Sequence, residues 1–70
     1  MIPLTMAPAG ADVIIKRISG SDDVKRRIES LGFTVGGAVT VINTLAGSVI
    51  VNVKESRIAI GKDMANRIMI

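Results

Sequence analysis

Three short stretches of this chain hold residues that could do chemistry: "LGFTVGGAVTV" (31–41), the adjacent Asp22 and Asp23, and the run Lys25, Arg26, Arg27. A glycine-rich loop can cradle a phosphate with its backbone N–H groups. Neighbouring carboxylates can ligate a hard cation, and a basic run can face an acidic partner. Each has a plainer alternative. A phosphate loop needs a Lys-Ser/Thr pair directly after its last glycine, where a helix opens. Here Gly37 is followed by "AVTV", which reads as a strand, and Gly61-Lys62 lacks the preceding glycine and the hydroxyl residue. Asp22 and Asp23 fall where a helix would start, and negative charge there complements the helix dipole.

The rest of the inventory is sparse. The chain has no His and no Cys. Without them there is no Ser-His-Asp triad, no thiolate nucleophile, no disulfide and no structural zinc site. The acids Asp12, Asp22, Asp23, Glu29, Glu55 and Asp63 are scattered apart from one adjacent pair. Transition-metal sites draw on His together with carboxylates, so no metal site is assigned. A chain of 70 residues also has little room to enclose a small-molecule cleft. No enzyme is expected, and no catalytic, cofactor-binding or metal-ligating residue is assigned.

The net charge of +3 permits RNA, an anionic membrane surface or an acidic protein as partner, and requires none of them. The start "MIPLTMAPAGA" has no early Lys or Arg and holds two prolines, so it does not read as a signal peptide. No uninterrupted apolar run approaches the roughly 20 residues that span a bilayer. A cytoplasmic protein without membrane insertion is the expectation.

The elements that must position these residues follow from periodicity. Leu4–Met6, between Pro3 and Pro8, reads as a short extended edge piece. In "ADVIIKRI", Val13 and Ile15 alternate toward one face while Ile18 falls out of parity, which predicts a β-bulge near Lys16 and Arg17. "SGSDDVKRRIESLG" changes period: Val24, Ile28 and Leu31 share one helical stripe, Ser21 is the expected N-cap and Gly32 the left-handed residue that ends the helix. Phe33 then folds back onto Ile28, and Gly36 and Gly37 turn the chain with positive φ.

Strands follow to the end. Val39 and Val41, with Asn43 or Leu45, line one face of the first of them; "VIVNV" directs Val49, Val51 and Val53 inward, and "RIAI" directs Ile58 and Ile60 inward. "GKDMANR" reads as a single helical turn with Met64 or Ala65 plugging one end, before "RIMI" closes the sheet. The expected fold is mainly β: a single domain over 1–70, a small five-stranded SH3-like barrel with one short helix between the second and third strands and a helical turn before the last. In an OB barrel the helix usually comes between the third and fourth strands, which disfavours that alternative.

Leu4, Gly10, Val13, Ile15 and Ile18, then "LGFTVGGAVTV", "SVIVNV" and "SRIAIGKDMANRIMI", together resemble the FeoA family. That family's pattern is L-G-(apolar)-x-P-G-x-x-V-x-V, closing on R-I-A-L-x-x-x-x-A-x-x-I-x-V. Val35 stands at the usual proline and Glu55 where many members carry glycine, departures that touch turn stiffness. The resemblance covers essentially the whole chain. It implies an SH3-like barrel and a non-enzymatic, cytoplasmic accessory role in bacterial ferrous iron transport. The implied partner is FeoB, a membrane transporter with a cytoplasmic G-protein domain.

Two other readings stay open: a small basic nucleic-acid-binding barrel, and a metal-sensing domain related to the SH3-like domains of iron-dependent repressors. The nucleic-acid reading lacks support in composition, because the chain has no Trp, no Tyr and one Phe to stack on bases. The same lack argues against a groove for proline-rich peptides. The interface candidates are Lys25, Arg26 and Arg27, on a helix face opposite Val24, Ile28 and Leu31. Ile14, Ile42, Ile50 and Met69 are apolar at outward parity, so they are either covered by curvature or form a patch for a partner or for weak self-association.

Overall fold

A computed structural model describes residues 1–70. Four strands, β1 (Asp12–Ile14), β3 (Ala38–Leu45), β4 (Ser48–Val53) and β5 (Ser56–Gly61), pair antiparallel in the order β1-β3-β4-β5. A separate antiparallel ribbon joins β2 (Arg17–Ile18) to β6 (Ile68–Met69). Helix α1 (Asp22–Ser30) links β2 to β3, and the short helix α2 (Lys62–Ala65) links β5 to β6. The helix positions agree with the sequence reading. The strand count does not: there are six strands in two sheets rather than five closed into one barrel.

Two local departures explain the difference. Leu4–Met6 is a 3₁₀ turn, not an extended piece. Met6 N–H reaches Pro3 O at 2.9 Å and Ala7 N–H reaches Leu4 O at 3.0 Å, so the turn sinks Leu4 completely into the core. Near Lys16 the chain makes no bulge; it changes sheets. Ile15 exchanges hydrogen bonds with the loop before β3 (Ile15 N–H to Gly37 O, 2.9 Å; Gly36 N–H to Ile15 O, 2.8 Å), whereas Lys16 N–H donates to Met69 O at 2.8 Å. Ile18 is inward although out of parity, because it belongs to the other sheet. The true bulge lies in β3, where Val41 faces Val51 but Asn43 faces Ile50. Ile42 is the extra residue. The shift of one position turns Asn43 and Leu45 to the solvent side, which corrects their expected inward placement.

The core is aliphatic with a single ring. Val39, Val41, Val49, Val51, Val53 and Ile60 form the sheet wall, while Leu4, Ile15, Ile18, Ile28, Phe33, Ala65 and Ile68 pack against it. Ile58 is half-buried, and Ala65 rather than Met64 is the fully buried plug from α2. Ser21 caps α1, accepting from Val24 N–H at 3.3 Å, with Asp22 and Asp23 in the first turn. At the other end Leu31 is the C-cap and Gly32 N–H donates to Glu29 O at 2.9 Å. Gly32 takes φ +107°, and Phe33 beyond it is fully buried together with Ile28. Leu31 departs from the expected stripe and lies 41% exposed, since the left-handed residue after it turns Phe33 inward instead.

Thr34–Gly37 forms a turn closed by Gly37 N–H to Thr34 O (2.9 Å), with Gly36 at φ +87°. Gly37 has no positive φ, contrary to expectation. Its glycine is needed for another reason: a Cβ there would lie 3.0 Å from both the Thr34 carbonyl oxygen and Oγ1. The β4–β5 hairpin places Lys54 at φ 48° and Glu55 at φ 67°. That is the primed turn that matches strand twist, and it favours Asn or Gly over both residues present.

Two substitutions at these left-handed positions should move stability in opposite directions. Gly32→Ala meets only ordinary contact with Val53 Cγ2 at 3.5 Å, so its cost is that of φ, about 1 kcal/mol. Glu55→Gly removes a side chain from the same region and should stabilise by about 1 kcal/mol. Thermal melts of both variants check the pair: the first should melt lower than the parent protein and the second higher.

Candidate functional site

Lys25, Arg26 and Arg27 point to different sides of α1. Lys25 is half-buried and Arg26 is exposed two positions on from Val24, away from its side of the helix. Arg27, three residues after Val24, lies on the same side of α1 as Val24, the side that shares a pocket with α2. There it meets a residue of a distant segment. Val24, Arg27, Asp63, Met64 and Arg67 line one open pocket of about 170 Å³. The pocket has two guanidiniums, one carboxylate and a half-buried apolar floor made by Val24 and Met64.

Arg67 is held from its backbone. Its carbonyl oxygen accepts from Ser19 N–H at 2.7 Å and from Ser19 Oγ at 3.2 Å, and its N–H donates to Met64 O at 3.0 Å. Beside it, Gly20 adopts φ +120°, and a Cβ at that position would lie 3.2 Å from Arg67 Nη1 and 3.1 Å from Val24 Cγ1. Gly20 therefore clears the space through which Arg67 passes over the start of α1. Nothing in the sequence pairs residue 27 with residue 67; only the packing of α2 and β6 beside β2 and α1 does.

A second groove, about 310 Å³ and shallow, is lined by Ile2, Val13, Ile14, Lys16 and Ile70. It lies where the two chain ends meet, since Ile2 and Ile70 exchange backbone hydrogen bonds at 3.0 and 2.8 Å. Of the apolar residues expected outside, Ile14 is 50% exposed, while Ile42, Ile50 and Met69 are half-buried by the curvature of the sheets.

The other candidate chemistries resolve on geometry. Gly32, Phe33, Gly36 and Gly37 form the helix-to-strand joint, with Phe33 fully buried. The one aromatic ring is thus withdrawn from any surface on which a base or a proline could stack. Asp22 and Asp23 occupy the exposed first turn of α1. Asp12 accepts from Thr40 Oγ1 at 2.5 Å across the β1–β3 pair, a structural contact. No three His, Cys, Asp or Glu side chains stand together as a group able to hold a metal ion. No helix is long and apolar enough to cross a membrane.

Comparison with known proteins bears on what these surfaces serve. Residues 2–70 match the family model described as the FeoA domain. A Methanocaldococcus jannaschii protein with the provisional name Fe(2+) transport protein A is 39% identical over 70 residues, which is 100% of this chain and 85% of that one. The crystal structure of an iron uptake regulatory protein, FeoA, superposes with a TM-score of 0.89 at 32% identity, covering 97% of this chain and 90% of that one. The zinc-complexed FeoA of Stenotrophomonas maltophilia, described as an SH3 domain protein, superposes with a TM-score of 0.83 at 21% identity, covering 99% and 88%. At that identity the likeness shows the SH3-like fold alone. With a family match running from residue 2 to residue 70, this chain belongs to the FeoA domain family.

Proposed function

We propose that this protein is a cytoplasmic, non-enzymatic interaction module of ferrous iron transport that binds a FeoB-like transporter and modulates it. The observation that carries the reading is the match over the full chain, to the family model and to a relative named for Fe(2+) transport. The residue inventory supports the non-enzymatic part: a chain without His or Cys lacks the usual general base and the usual nucleophile. What the fold offers instead is a rigid, strongly aliphatic core carrying exposed cations and two shallow depressions. Such a surface suits recognition of another protein.

The transporter implied by this reading carries its soluble G-protein domain on the cytoplasmic side, so an accessory protein must meet it there. Nucleic acid is not the expected partner, because affinity would have to rest on phosphate contacts without any base stacking.

The test is co-purification of this protein with the full-length transporter in detergent, and separately with its isolated cytoplasmic part. Saturable binding to at least one of them at tens of micromolar is expected. Absence of binding to both, with a salt-sensitive shift of RNA or DNA in its place, would overturn the reading.

A further inference from the structure

The structure places two arginines from distant parts of the chain, Arg27 on α1 and Arg67 between α2 and β6, in the lining of one pocket. Asp63 supplies the only negative charge in that lining, so the pocket carries one positive charge in excess. The side-chain hydrogen bonds of the protein involve Thr5, Asp12, Ser19, Ser21, Ser30, Thr40, Asn43 and Asn66, and no arginine side chain. Both guanidiniums therefore keep their donors for an incoming acceptor. A guanidinium is matched in shape to a carboxylate and binds it through parallel N–H groups.

Size and floor narrow the ligand. A volume of about 170 Å³ is that of five or six waters at roughly 30 Å³ each, below the range of small-molecule sites but ample for one side chain. Val24 and Met64 give the pocket a half-buried apolar floor. A free phosphate has nothing to place against such a floor. A glutamate does, because its methylene groups can lie on Val24 and Met64 while its carboxylate reaches the arginines. The chain around Arg67 is anchored. Ser19 fixes the Arg67 carbonyl with two hydrogen bonds, and the bare Cα of Gly20 makes the room for its guanidinium.

We propose that the Arg27–Arg67 pocket is the docking point for an acidic side chain, a glutamate, on the protein partner. The inference rests on the interaction-module reading above and deepens it by assigning the contact. It also divides the basic run: Arg27 makes the contact and Arg26, on the other side of the helix, does not.

Two measurements test it. In the first, backbone amide shifts of the intact protein are followed as a capped Glu-Leu-Glu-Leu-Glu peptide is added, with the Gln-for-Glu peptide and inorganic phosphate as parallel probes. Saturable shifts at Val24, Met64 and Arg67 are expected for the acidic peptide at about millimolar Kd, weakening several-fold between about 50 and 200 mM salt. R27Q and R67Q should each lower this affinity by about tenfold, and R26Q should change it less than twofold. Equal shifts from the Gln peptide, saturation by phosphate alone, or an equal loss in R26Q would each overturn the proposal.

The second measurement uses the transporter. If the parent protein binds it and R27Q and R67Q bind equally well, the pocket assignment fails while the function stands. If the parent protein does not bind at all, the function reading fails, and the peptide titration still decides whether the pocket takes a carboxylate. All three variants change exposed side chains, so their amide spectra should otherwise match the parent and exclude unfolding as the cause.

Discussion

The burial of Phe33 just beyond the end of α1, in the same core as Ile28, is the constraint on which the rest of this small protein depends. A chain of 70 residues hides a smaller share of its surface than a larger domain, and this one has no disulfide or structural zinc to compensate. It must seal its core with side-chain volume alone. Phe33 is the largest of the completely buried residues and the only ring, so truncating it would open a larger cavity than any valine truncation in the sheet. Its position follows from Gly32. Because that residue turns left-handed, the chain leaves the helix pointing inward, and the α1 stripe that began with Val24 and Ile28 is completed by Phe33 rather than by Leu31. The Thr34–Gly37 turn then aims β3 back across the ring. Helix end, aromatic plug and first long strand are thus one device, specified within a dozen residues.

A second constraint operates at long range. The chain transfers from one sheet to the other at Ile15 and Lys16, and β6 receives it. Arg17 pairs with Met69 and Ile18 with Ile68, while Pro3 bridges to Met69 and Ile2 to Ile70. The two ends of the sequence are thereby sewn into one ribbon. That ribbon sets the distance between α1, which leaves β2, and α2, which enters β6. The Ser19 contacts to the Arg67 carbonyl are the outermost rung of the same ladder. The pocket between the helices is therefore a consequence of strand pairing, and it is only as rigid as that pairing.

Much of this was legible in the sequence because it is local. Ser21 as cap, Asp22 and Asp23 in the first turn, Gly32 as the helix stop, the valine alternation of β4 and the short helix before the last strand each follow from residues within a few positions of one another. What was not legible is of two kinds. A bulge at Ile42 inserts a residue without any glycine or proline to announce it, and so Asn43 and Leu45 change faces unannounced. Likewise, the sheet change at Lys16 and a bulge there leave the same trace in sequence, a break in parity at Ile18. The other kind is juxtaposition across the fold. Arg27 and Arg67 lie 40 positions apart in unrelated motifs, whereas the charge run groups Arg27 with Lys25 and Arg26, neither of which lines the pocket.

The composition that makes the core possible also restricts how the surface can recognise anything. With its one ring spent at the helix joint and no Trp or Tyr elsewhere, the protein cannot use the aromatic anchors that dominate most interface hot spots. The remaining anchor type enriched at hot spots is arginine, and here two arginines converge on one pocket. An exposed arginine on a flexible stem contributes little, because ordering it costs rotamer freedom and salt screens its charge. Arg27 and Arg67 are as exposed as Arg26 and Lys54, but they line one pocket, so a single carboxylate there can meet two guanidiniums. With no Trp or Tyr to anchor an interface, two arginines lining one pocket are the means by which this small basic surface could be selective.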